Sequence, residues 1–124
     1  MLIVDANIIL RLILNDNEKM VNDARTQLLS NTFYIKREVI AEIVYVLAGI
    51  YKTERLDVGK ALLELLDTEG IIVESDETVR YAINTYQIQT LDFVDCLLNA
   101  YHKVEDENIY TFDQKLLKLL NQFT

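Results

Sequence analysis

Leu2-Ile3-Val4-Asp5 is a short apolar run closed by a carboxylate, and Ile8, Ile9, Leu12 and Ile13 then recur at helical spacing. That is the pattern of a buried strand delivering the chain into a helix. It repeats down the sequence. Phe33-Tyr34-Ile35 leads into a helix predicted from about Arg37 to Tyr51. Ile71-Ile72-Val73 leads into one through Val79, Ala82, Ile83 and Tyr86, with Asp76 as its expected cap. Asn108-Ile109-Tyr110-Thr111 reads as a fourth strand before a last helix from Gln114 to Asn121. Further helices fit Val21, Ala24, Leu28 and Leu29, then Val58, Leu62, Leu65 and Leu66 ending near Gly70, then a segment opened by Thr90 to Asp95 and running to about Lys103. Short strands alternating with helices predict an α/β fold: a three-layer α/β/α domain around a central parallel sheet of four or five short strands, covered on both faces. Right-handed crossovers line up the strand-to-helix junctions along one edge, where ligands of open α/β sheets bind.

The bulk properties set limits around this pattern. A chain of 124 residues, 51% of them hydrophobic, can bury one core, so a single domain over residues 1–124 is expected. Three glycines and no proline leave little material for linkers. The first residues carry neither a basic leader nor the apolar core of a secretory signal, and the uncharged apolar stretch Ile43 to Tyr51 is too short for a bilayer. The expectation is a cytoplasmic protein that does not enter membranes. A lone Cys96 in an apolar run excludes an internal disulfide or a cysteine-rich zinc site and reads as a buried thiol. The net charge of −8 argues against general nucleic-acid binding, unless several acids share a cation-filled pocket that reverses the local field.

Each acidic candidate has a structural explanation beside a chemical one. Asp5 ends the first strand, with Asn7 just beyond, and fits a helix cap and a metal ligand alike. Glu42 is the only charge between Glu38 and Lys52, set among apolar neighbours, so it is held by a partner or belongs to an exposed stripe with Glu38. Asp92 and Asp95 share a helix face that Asn99 continues. Asp92 suits the cap and Asp95, in the first turn, is the better ligand. Asp113 follows the last predicted strand at another cap position, with the Thr111 hydroxyl close by. Gathered at one sheet edge, Asp5, Glu42, Asp95 and Asp113 would repel one another, and a hard divalent cation with oxygen ligands relieves that conflict. Two such ions suit phosphodiester hydrolysis. Other chemistries lack parts: His102 is the single histidine, expected at an exposed helix position, and no glycine-rich phosphate loop is present.

With these residues placed, the chain resembles the PIN-domain family, in particular the VapC-like toxins. The resemblance is carried by Ile3-Val4-Asp5-Ala6-Asn7, by Val39 to Leu47 around Glu42, by Asp92 to Ala100 and by Thr111-Phe112-Asp113. Each piece is short, and their order along nearly the whole chain gives them weight. The resemblance implies a PIN-like domain acting as a Mg²⁺- or Mn²⁺-dependent endoribonuclease on RNA. It implies Asp5, Glu42, Asp95 and Asp113 as the acidic catalytic and metal-holding set, with Asn7, Asp92 and Thr111 in support. It also implies a homodimer and a cognate antitoxin that covers the acidic groove. Ala6 stands where the family often carries a serine or threonine, which removes one hydroxyl. Two rival readings stand beside this one: a PIN-like interaction module without turnover, and a receiver-like phosphoacceptor domain. The second lacks paired acids after the first strand and a late-strand lysine. Arg11, Lys36, Arg37, Arg55 and Lys115 are candidate phosphate contacts, or plain surface cations.

Overall fold

The computed structural model describes residues 1–122. Along them run β1 (Leu2–Ile3), α1 (Ala6–Leu14), α2 (Glu18–Ser30), β2 (Phe33–Ile35), α3 (Arg37–Gly49), α4 (Arg55–Leu66), β3 (Ile71–Val73), α5 (Asp76–Ile88), α6 (Phe93–Glu105) and α7 (Gln114–Leu120). The three strands form a parallel sheet in the order β1-β2-β3. Leu2 pairs with Phe33, and Phe33 with Ile71, in one row; Ile3, Tyr34 and Ile72 make the next. The fold is therefore α/β with a parallel sheet, but with three strands among the described residues instead of four or five.

The missing strand is Asn108–Thr111. Its composition favours an extended chain, yet a strand exists only when a neighbour completes its hydrogen bonds. Among the described residues no strand pairs with this segment. His102 Nδ1 lies 2.9 Å from the Glu107 carbonyl oxygen, and the Thr111 hydroxyl accepts the Asp113 N–H at 3.0 Å. No strand lies on the outer side of β1 among the described residues, so β1 is an edge strand.

The two faces of the sheet are unequally covered. Phe33, Ile35, Ile71 and Val73 are buried with Ile9, Ile40, Ile43, Val58, Leu62 and Val79 in one apolar core. The alternate row keeps Ile3 67% and Ile72 49% exposed, so the expected burial of both faces holds only in part.

Side-chain caps start three of the seven helices among the described residues. Asp5 Oδ1 accepts the Ile8 N–H at 3.1 Å, Asn17 accepts from Met20 at 3.0 Å, and Asp113 Oδ1 accepts from Leu116 at 2.9 Å. Asp76, expected as the cap of α5, is instead that helix's first residue and pairs with Arg80 at 2.9 Å. Ser75, at a left-handed φ of 54°, holds the cap position. Gly70 does not close α4 directly: the helix ends at Leu66, and Gly70, at φ 88°, makes the turn into β3. α3 begins without help from its own cap residue. Glu74, at the end of β3, supplies the missing acceptor, taking the Arg37 N–H at 3.1 Å and the Lys36 ammonium at 2.7 Å. Those bonds hold the Glu74 carboxyl below its ordinary range, with the Lys36 bond the larger influence. They also tie the carboxyl ends of β2 and β3 together at the functional edge.

α5 and α6 pack through an edge-to-face contact of Tyr86 and Phe93, with ring centroids 6.0 Å apart, and through the Thr78 hydroxyl donating to Glu105 at 2.7 Å. Arg55 closes the α5 end. Its guanidinium donates to the carbonyls of Tyr86, Gln89 and Leu91 at 3.2, 2.8 and 2.7 Å and lies 4.2 Å over the Tyr86 ring.

Candidate functional site

Asp95 sits half-buried in the first turn of α6, because Phe93, Cys96, Leu97 and Ala100 turn that helix's apolar side into the core. Burial raises its carboxyl pKa, and the nearby charges of Asp113 and then Asp92 raise it further. Two acids, one on its own segment and one on another, thus bear on Asp95, and no basic side chain is in ion-pair contact with any of the three among the described residues. Asp92 holds the cap position of α6, but its side chain makes no capping bond and stays exposed. Asp113 is exposed and fixed twice, by its carboxylate on the Leu116 N–H and by its own N–H on Thr111. Thr111 therefore steadies the backbone that carries the carboxylate.

Asp5 and Asn7 form a second group. Both are exposed and line an open cavity with Leu2, Ile3, Arg11 and Phe33. Among the described residues, Glu42 makes no hydrogen bond or ion pair with either group. It is exposed, has no side-chain partner, and continues an outward stripe of α3 with Glu38 and Tyr45. Among the described residues, no three histidine, cysteine or acidic side chains are placed to hold a metal ion together.

The donor chemistry nevertheless suits a hard cation. The capping bonds of Asp5 and Asp113 each use Oδ1 and leave the second oxygen without a protein donor. Asn99, buried one turn beyond Asp95, has an Oδ1 with no hydrogen-bond partner, an uncommon condition for a buried acceptor. Sequence reading put Asn99 on the acidic face without counting it in the site; only burial reveals the orphaned oxygen.

Other groups are accounted for. Burial pushes the Cys96 thiol up to about 12, which removes it as a nucleophile. His102 is half-buried and held to a backbone carbonyl, not free on an exposed helix face. Four of the five candidate phosphate contacts are already engaged: Arg11 with Asp16, Lys36 and Arg37 with Glu74, and Arg55 with carbonyls. Lys115 remains exposed, without an ion pair among the described residues. No helix among the described residues is long and apolar enough to cross a membrane.

Comparison with known proteins identifies the family. Residues 2–120 match the family model of the PIN domain. The chain is similar to a VapC ribonuclease of Aquifex aeolicus (strain VF5), with 32% identity over 87 residues, covering 69% of this chain and 64% of that protein. The match thus spans less than two thirds of the relative's length. No solved structure gives a significant match.

Proposed function

Because the chain belongs to the VapC-like PIN-domain family, we propose that it is a Mg²⁺- or Mn²⁺-dependent endoribonuclease that hydrolyses RNA phosphodiester bonds as the toxin of a toxin–antitoxin pair. The observation that carries this reading is Asp95, half-buried, its carboxyl raised first by that burial and then by Asp113 and Asp92, with no basic side chain paired to them among the described residues. An acidic group without a basic partner suits a divalent ion. Asp5, Glu42, Asp95 and Asp113 are the acidic set, with Asn7, Asp92 and Thr111 in support. A divalent ion, when bound, supplies Lewis acidity toward a phosphate oxygen and makes a nearby water more acidic. The protein's own part is positional. Caps fix Asp5 and Asp113 against helix starts, Thr111 holds the Asp113 backbone, and the Asn99 oxygen offers a further acceptor.

The same reading includes one layered α/β/α domain over 1–124, a cytoplasmic homodimer, and an antitoxin that places a guanidinium among these carboxylates. The family match over residues 2–120 sets the receiver-like alternative aside. One observation favours a second reading, a PIN-like RNA-binding or interaction module without turnover: no three acids are placed together for a metal. Sequencing RNA ends after brief induced expression separates the two, beside an Asp5→Asn control. New ends at defined positions, lost in the variant, are expected. Ends that persist unchanged in Asp5→Asn would remove the acidic set from the reaction.

A further inference from the structure

Tyr110 and Phe112 are 88% and 83% exposed, while Phe33, Tyr86 and Phe93 are buried. Their rings meet edge to face, with centroids 5.3 Å apart and planes at 66°. Such a pair is partly rigid in water and leaves open ring face on its outer side. It also has a particular place. The two residues flank Thr111, whose hydroxyl bonds the Asp113 N–H, and Phe112 directly precedes Asp113. The segment that presents an acid to Asp95 therefore also presents two bare aromatic rings.

The charges nearby differ from the rest of the surface. Most cations of this acidic chain are occupied by carboxylates or carbonyls. Among the described residues, Arg25, Lys52, Lys60, Lys115 and Lys118 have no such partner. Two of these five, Lys115 and Lys118, lie on α7, the helix that Asp113 caps. Open aromatic faces on a segment that runs straight into a helix carrying unpaired ammonium groups are what an unstacked base and its flanking phosphates require. A duplex, whose bases are already stacked, gains nothing from such rings.

We propose that Tyr110 and Phe112 form the stacking platform that holds an unpaired RNA base next to the acidic cluster, with Lys115 and Lys118 taking the neighbouring phosphates. The proposal rests on the ribonuclease reading and names which residues position the substrate. These four act by binding and orientation, not in bond cleavage.

The test is binding measured apart from turnover. Fluorescence anisotropy with a labelled single-stranded RNA, in chelator to prevent cleavage, is compared with the same sequence annealed to its complement. The wild-type chain is expected to prefer the single strand. Tyr110→Ala and Phe112→Ala should each weaken single-strand binding by about tenfold and leave thermal unfolding unchanged. Phe112→Tyr should bind normally and Phe112→Leu should not, because apolar bulk alone does not stack. Lys115→Ala and Lys118→Ala should each lower the slope of log affinity against log salt by about one. Wild-type protein that ignores single-stranded RNA, or Phe112→Leu that binds normally, overturns the platform; the second result would make the rings a protein-docking patch. Asp95→Asn keeps the two readings apart. If it binds RNA without cutting it while the aromatic variants lose binding, both stand. If the wild type binds through the rings yet never cuts, the platform stands and the ribonuclease reading falls.

Discussion

At the scale of single residues, Asp95 exchanges stability for chemistry. A carboxyl held above its ordinary range binds its proton more tightly folded than unfolded. Ionisation therefore works against folding: stability is fullest below the ordinary aspartate range and declines as pH rises through it toward the folded value. Without divalent ions at neutral pH, Asp95→Asn should melt a few degrees higher than wild type, with the gap closing at acid pH. The same variant should lose RNA cleavage. Thermal scans across pH check the first part, and a variant that melts lower at neutral pH would contradict the origin assigned to the shift. Cap positions such as Asp5 and Asp113 were legible in sequence because a short side chain before an apolar helical run has an immediate local use. Burial of Asn99 and exposure of Glu42 were not legible, since both depend on what packs against the helix.

At the scale of elements, the apolar pattern placed the seven helices and three strands of the described residues, usually to within a few residues. Apolar spacing records which side meets the core, and that signal is carried by each segment alone. Asn108–Thr111 failed for the complementary reason: β-rich composition cannot supply the neighbour that a strand needs. Links between elements are equally hidden. Nothing around Arg55 in sequence announces that it closes the α5 end. Arg55→Met should cost about 2 kcal/mol, because it leaves carbonyls of Tyr86, Gln89 and Leu91 without their charged donor. Urea unfolding measures this. A loss below about 0.5 kcal/mol would mean that water replaces the guanidinium without penalty.

At the scale of the whole molecule, a charge of −8 makes the folded chain repel itself, and added salt of any kind should relieve part of that. Site binding adds a separate gain for an ion held by the native state alone. MgCl₂ should therefore raise the melting temperature more than NaCl at equal ionic strength, and Asp95→Asn should remove most of the difference. Equal effects of the two salts in wild type would leave only screening. The overall architecture was legible because alternating strands and helices admit few topologies. How far the acids converge was not, because each is placed by a different element.

The edge strand β1 has a consequence for how this chain behaves when crowded. Its unpaired side spans two residues, Leu2 and Ile3, whereas stacked fibrils grow from segments of about six. A foreign strand docking there finds a short template, so this side of β1 offers little for fibril growth to extend.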